Sequence, residues 1–197
     1  MSLLGAPHGA ARGATPAPLW LSYPEAFSPE ECASLIDMMI FGAHKSAGLV
    51  NGKAEQSIRQ TDIHWIPEND ETSWVYQRLT QLVAQGNRDA FGYTLSGFDE
   101  EAQIGRYQNG GFYDWHIDRG GRGIGARRKL TVSVQLSDPA DYKGGELQLN
   151  PDGRVVTAAA AIGTAVVFPA YMLHRVAPVT QGVRHSLVIW THGPDFT

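Results

Sequence analysis

Residues 102–118 read AQIGRYQNGGFYDWHID. Two short runs of alternating apolar and polar residues flank Asn109-Gly110-Gly111, a turn signal between strands. The pattern continues through KLTVSVQLS, GELQLN, RVVTA, TAVVFP, LHRVAPV and RHSLVIW, each split from the next by Gly, Pro, Asn or Asp. Many short strands with regular turn signals predict an antiparallel sandwich or barrel.

Upstream of Gly97 the character is helical. SPEECASLIDMMIFGAH (28–44) offers Ser28 as an N-cap, Pro29 for the first turn and Glu31 to complete a capping box. Ala33, Ile36, Met39 and Ile40 then recur at helical spacing. Residues 57–66, SIRQTDIHWI, read as one strand. A second helix is expected from about Thr72 to Ala90, burying Trp74, Leu79, Leu82 and Val83. Helices followed by a run of strands give an α+β class, with the helices packed on one sheet.

The chain has 197 residues, enough for one domain with a real core. Residues 1–20, rich in Ala, Gly and Pro, read as a flexible N-terminal arm, and 21–197 as a single domain with its strand core at about 98–194. The net charge of −4 argues against coating nucleic acid or an anionic membrane. No apolar run has the length of a membrane span. A lone cysteine, Cys32, excludes an internal disulfide framework or a Cys-rich zinc site, and fits a reducing, cytoplasmic setting. Its place on a helix suggests a buried small hydrophobe.

The chemistry sits in the strand half. His116 and Asp118 are i and i+2, so a regular strand points both to one face. His174 must join them from another strand. Two imidazoles and one carboxylate with open positions are the facial triad that suits non-haem Fe(II). In GVRHSLVIW, Arg184, Ser186, Val188 and Trp190 share one face, and Leu187 and Ile189 the other. An inward Arg184 is costly unless paired, and a ligand carboxylate matches its fork. His185 and His192 read as structural or exposed, His64 as packing or surface, and His8 and His44 as exposed. Tyr113 is ambiguous: on a regular strand it shares parity with neither His116 nor Asp118, and its place near the pocket stays open. Gly144-Gly145 reads as a tight turn. Arg119, Arg122, Arg127, Arg128 and Lys129, spread over the glycine-rich 118–129 stretch, read either as a solvated loop or as a lid meeting an anionic substrate.

Five segments in order, RYQNGGFYDWHID, RRKLTVSVQLSD, YKGGELQL, GTAVVFPAYMLHRV and GVRHSLVIW, resemble the Fe(II)/2-oxoglutarate-dependent dioxygenases, in particular the prolyl-4-hydroxylase-like subgroup with the bacterial PKHD-type hydroxylases. The resemblance implies a double-stranded β-helix, a jelly-roll or cupin-like barrel, with N-terminal supporting helices. It implies His116, Asp118 and His174 as iron ligands, and Arg184 with Ser186 as the anchor of the 2-oxoglutarate C5 carboxylate. Tyr107 matches a tyrosine that bonds the same carboxylate, and Trp190 a large side chain beside the metal pocket. Gln135 stands near a position where some relatives carry a further tyrosine. The implied cofactors are Fe(II), 2-oxoglutarate and O2, with ascorbate as a candidate reductant.

The implied reaction is hydroxylation of an unactivated C–H bond, coupled to oxidative decarboxylation of 2-oxoglutarate to succinate and CO2. Asp118 favours hydroxylation over halogenation, because related halogenases put a small residue there. The expected substrate is a prolyl or other protein or peptide side chain, with no membrane or nucleic-acid partner. The alternatives are a hydroxylase of a free amino acid or small metabolite, a cupin-type metalloenzyme without 2-oxoglutarate, and a non-enzymatic binding module.

Overall fold

The computed structural model describes residues 18–41 and 58–195. Most of the expected N-terminal arm, with His8, lies outside the described residues, as does His44 at the end of the first helical stretch. In chain order the elements are β1 (Leu21–Tyr23), α1 (Pro29–Phe41), β2 (Arg59–Gln60), β3 (Asp62–Ile66), α2 (Ser73–Gly86), β4 (Ala102–Gln108), β5 (Phe112–His116) and β6 (Arg128–Gln135). They continue with β7 (Tyr142–Gly144), β8 (Leu147–Asn150), β9 (Val156–Thr157), β10 (Ala165–Pro169), β11 (Leu173–Val176) and β12 (Val179–His192).

Two antiparallel sheets face each other. The major one runs β1-β10-β6-β12-β4-β3, with β7 joined to the far end of β12. The minor one runs β2-β5-β11-β8-β9. This is the double-stranded β-helix, with both helices on the outer face of the major sheet. Alternation decides which side chains go where. Leu130, Val132 and Val134 of β6, Leu187 and Ile189 of β12, and Ala165 and Val167 of β10 pack outward against Cys32 and Leu35 of α1 and Val75, Leu79 and Leu82 of α2. The residues between them face the minor sheet and line the site.

The capping box forms as read: the Ser28 amide donates to Glu31 Oε2 (2.8 Å) and the Glu31 amide to Ser28 Oγ (3.2 Å). The buried face of α1 is carried by Cys32 and Leu35, whereas Ala33 and Ile40 are exposed. In α2 Trp74 is only half-buried, and Val75 and Tyr76 point inward instead. One turn beyond α2 widens into a π-helical segment, Asn87–Phe91, stopped by Gly92 in the left-handed region. The single strand expected over 57–66 breaks at Thr61. Arg59 and Gln60 pair with β5 in the minor sheet, and Asp62–Ile66 with β4 in the major one, so this stretch crosses between sheets at the barrel edge. Among the described residues no helix is long and apolar enough to cross a membrane.

Candidate active site

The cavity between the sheets has four consecutive inward levels on the major sheet, set by register. Arg184 stands opposite Tyr107 at the closed end, followed by Ser186 between Gly105 and Gln135. Next comes Val188 between Gln103 and Ser133, and then Trp190 opposite Thr131. The minor sheet supplies Tyr113, His116, His174 and Val176 as the facing wall.

His116 and His174 are direct cross-strand partners on β5 and β11. Asp118 lies beyond the end of β5, in a bend rather than on the expected strand. Its placement comes from other contacts. Thr131 Oγ1–H donates to Asp118 Oδ2 (2.7 Å), Arg128 Nη1–H donates to the Asp118 carbonyl (3.0 Å), and the Arg119 amide donates to the Ala170 carbonyl (2.8 Å). Asp118 Oδ1 lies 3.6 Å from His116 Nε2, and Oδ2 lies 3.5 Å from His174 Nε2. One ligand atom from each of the three residues falls within 4.8 Å of the others.

Backbone carbonyls fix both tautomers. His116 Nδ1–H donates to the Asp114 carbonyl (2.7 Å) and His174 Nδ1–H to the Met172 carbonyl (2.9 Å). The two Nε2 lone pairs are therefore free to meet a cation, as metal-ligating histidines require. Burial is the main influence on His174 and lowers its pKa, against the raising effect of Asp118. Burial would raise the pKa of Asp118, but the two imidazoles and Thr131 outweigh it and hold the carboxyl well below the usual range. A neutral imidazole at His174 and an ionised carboxylate at Asp118 are donor states a divalent metal needs.

At the closed end Arg184 is only 1% exposed. Its Nη2–H and Nε–H donate to Gln135 Oε1 (2.7 and 3.2 Å), and Nη1–H reaches Ser186 Oγ (3.4 Å). The guanidinium carbon sits 5.3 Å from the Tyr107 ring centroid. Gln135 Nε2 is buried without a hydrogen-bond partner. A buried guanidinium held by a neutral amide, beside an orphaned amide donor, is a cradle for an anion.

Tyr113 departs from the expected parity. Between the His174–His116 and Val176–Tyr113 pairs, two steps on β11 oppose three on β5, so β5 bulges at Asp114-Trp115. The bulge returns Tyr113 to the inner face, stacked on His116 with centroids 3.4 Å apart. Trp190 lines the cavity, as expected, but its ring chiefly carries Arg128, whose guanidinium carbon lies 3.7 Å from the centroid.

The cations of 118–129 are largely engaged by acids. Arg127 pairs with Asp99 (2.7 Å), Arg128 with Glu100, and Arg119 with Asp195 (3.5 Å). Arg122 is exposed, whereas Lys129 is buried on β6, its stem against the backbone at Gly193. His185 and His192 are both buried, and Gly144 and Gly145 both have positive φ, as their turn demands.

Sequence reading missed Thr131 and Arg59, and gave Arg128 a loop or lid role in place of its hold on Asp118. A signal for the first was present: Thr131, Ser133 and Gln135 alternate with Leu130, Val132 and Val134, so the polar face of an otherwise apolar strand marks the cavity. Arg59 lies over the Tyr113 ring (4.6 Å) and donates through Nη2–H to Gln103 Oε1 (3.3 Å), and its buried Nε lacks a partner.

Residues 102–192, which contain every one of these cavity strands but β2, match the sequence model of the 2OG-Fe(II) oxygenase superfamily. Similar proteins include a PKHD-type hydroxylase of Delftia acidovorans, 38% identical over 95 residues, which are 46% of this chain and 42% of that protein. A PKHD-type hydroxylase of Cupriavidus metallidurans is 28% identical over 175 residues, covering 85% of this chain and 75% of that one. The more identical match thus spans under half the length of its relative. Among solved structures, a Pseudomonas putida prolyl-4-hydroxylase superposes with a TM-score of 0.69 at 22% identity, over 89% of this chain and 93% of the other. A Trichoplax adhaerens prolyl hydroxylase, in complex with a hypoxia inducible factor oxygen degradation domain peptide fragment, gives 0.69 at 19%, over 88% and 83%. At these identities the two structures speak to the fold.

Proposed function

We propose that the protein is an Fe(II)- and 2-oxoglutarate-dependent hydroxylase. The observation that carries this reading is the pairing of two sites: a His116–Asp118–His174 cluster in the cavity with its imidazole tautomers fixed, and the Arg184–Gln135 cradle held against Tyr107 and Ser186, which line the same cavity. His116, Asp118 and His174 would hold Fe(II), leaving positions open for co-substrate and dioxygen. Arg184, Gln135, Ser186 and Tyr107 would hold the distal carboxylate of 2-oxoglutarate, with the Gln135 amide donating the hydrogen bond it now lacks. When bound, the iron and 2-oxoglutarate supply oxidation of a C–H bond coupled to decarboxylation, yielding succinate and CO2. The chain itself orients the two ligand ends, ties both Nδ1 atoms to backbone carbonyls so that Nε2 is left for the metal, and lines the cavity with the apolar Phe168, Val176 and Val188. A cupin-type metalloenzyme without an oxo-acid would have no use for the Arg184 cradle.

The substrate reading is a peptidyl side chain, prolyl by analogy with the prolyl hydroxylases among the structural neighbours. It is supported by exposed apolar residues next to two ligands in sequence, Ile117 and Leu173, on which a chain could lie. A free amino acid is the second reading, favoured by Arg59, a cavity cation with an unpartnered Nε that a substrate carboxylate would satisfy.

Anaerobic addition of Fe(II) and 2-oxoglutarate should produce the weak visible charge-transfer band of an iron-chelated oxo-acid. His174→Ala should abolish it, and Arg184→Ala should shift it to higher 2-oxoglutarate concentrations. Bound iron with no band would sink the 2-oxoglutarate assignment, and a protein that takes no iron would leave a binding module.

A further inference from the structure

Asp118 is the one member of the cluster that no sheet ladder holds, because it follows the last residue of β5. Its carboxylate is tied by Thr131, but its backbone depends on a side chain, Arg128. That arginine is itself held on every edge. Nε–H donates to Glu100 Oε2 (2.7 Å), Nη2–H to Glu100 Oε1, Nη1–H to the Asp118 carbonyl (3.0 Å), and the plane lies on the Trp190 ring. Glu100 is fixed in turn. His192 Nδ1 accepts the Asp99 amide (3.2 Å), so Nε2 carries the proton and donates it to Glu100 Oε2 (2.9 Å). His192 is fully buried, and the Glu100 and Arg128 side chains keep only 14% and 18% exposure. Burial works against the Glu100 carboxylate, yet Arg128 and His192 outweigh it and keep its pKa below the ordinary value.

A buried acid–arginine pair is a weak source of stability, because desolvation offsets most of the attraction. The chain nevertheless builds a fork, a stack and a tautomer-specific histidine around one guanidinium, and its free edge points at one carbonyl. We propose that His192, Glu100 and Arg128 form a positioning chain that sets Asp118 for metal binding, with Trp190 as the platform that fixes the guanidinium plane. None of the four touches the reacting atoms through this chain; they act through Asp118. The inference rests on the reading of His116, Asp118 and His174 as metal ligands.

The test uses Co(II), an air-stable stand-in for Fe(II), titrated calorimetrically into the metal-free full-length protein, with thermal melts of the same samples. Glu100→Gln keeps the shape but turns an amide donor toward the guanidinium. Arg128→Lys keeps the charge but cannot fork Glu100 and hold the carbonyl together. Both should weaken Co(II) binding about tenfold or more, the usual size for loss of a partner behind a metal ligand. The double variant should be little worse than Arg128→Lys alone, because the two act in one line. Arg127→Gln, which breaks only the pair with Asp99, should bind as wild type does. Where Arg128→Lys does not fold, the isosteric Glu100→Gln decides. A lower melting temperature with unchanged Co(II) affinity would make the network a structural tie and overturn the proposal. A wild-type protein that takes no Co(II) would overturn the ligand reading and the positioning role with it.

Discussion

Gln135 Oε1 accepts hydrogen bonds from both Nη2 and Nε of Arg184, and Gln135 Nε2 is left buried without a partner. The amide therefore aims the guanidinium without neutralising it, and adds a donor of its own beside it. Gln135→Glu would place a carboxylate in the same volume and satisfy Arg184 internally. We expect 2-oxoglutarate affinity to fall by roughly tenfold to a hundredfold, the scale of a lost charge-assisted contact of about 1.5–3 kcal/mol. Metal affinity should hold within about twofold, because Gln135 lies two inward levels from the Thr131 that holds Asp118. Titration of 2-oxoglutarate into the metal-loaded protein checks this, and equal affinity in the variant would show that the cradle does not bind the co-substrate.

Gly145 extends the same site into the β7–β8 turn. Its φ is +71°, and a Cβ there would come within 2.8 Å of Val179 Cγ2 and 2.9 Å of Arg184 Cδ. The turn glycine read from sequence thus also makes room for the stem of the anchoring arginine. Gly145→Ala should cost about 1–3 kcal/mol of stability, from left-handed strain and overpacking. It should also weaken 2-oxoglutarate binding by displacing Arg184. Chemical melts and co-substrate titration would separate the two effects, and lost stability with unaltered binding would limit the glycine to a turn role.

Much of this site was legible because its logic is local. The alternation of β12 puts Arg184, Ser186, Val188 and Trp190 on one face, and the paired strands keep them there. The Ser28–Glu31 capping box likewise depends on four adjacent residues. What escaped depends on long-range register. The bulge that turns Tyr113 inward exists only because β5 pairs with β11, and the break at Thr61 only because two sheets compete for one stretch. In the sequence Arg128 is one more cation of a glycine-rich stretch that reads as solvated loop or lid, since nothing in its own neighbourhood announces Glu100, 28 residues away. Ionic partners that come from distant strands leave no periodic trace.

His185 gives the protein an acid-sensitive feature away from the cluster. Burial, with Arg106 and Arg184 nearby, lowers its pKa to about 4. Its Nδ1 lies 3.2 Å from Ser137 Oγ, and Nε2 has no hydrogen-bond partner. As pH falls below about 6.5 the unfolded chain takes up a proton that the folded state refuses. The His185 contribution to stability is therefore complete above that pH, declines as pH drops toward about 4 and is lost below it. The slope in this window is at most about 1.4 kcal/mol per pH unit for one proton. His185→Gln should flatten the pH dependence of urea midpoints in metal-free protein between these limits, and identical slopes would remove His185 as its source.

Tyr113 lies with the Arg59 guanidinium over its ring and the His116 imidazole stacked on it, a pairing created by the β5 bulge. His116 is otherwise oriented by one hydrogen bond, from Nδ1 to the carbonyl of Asp114, which is itself in the bulge. The aromatic contact therefore has a definite task, which is to stop the imidazole rotating out of the plane that aims Nε2 at Asp118. Such stacks are worth about 0.5–1.5 kcal/mol beyond area burial, equivalent to a change of roughly two- to twelvefold in an equilibrium constant. Tyr113→Ala should weaken metal binding by about that factor. Tyr113→Phe, which keeps the ring, should bind metal as wild type does, and any defect it has should appear in turnover of the substrate that passes the hydroxyl. If Tyr113→Phe lost metal affinity as fully as Tyr113→Ala, the hydroxyl rather than the stack would be holding His116.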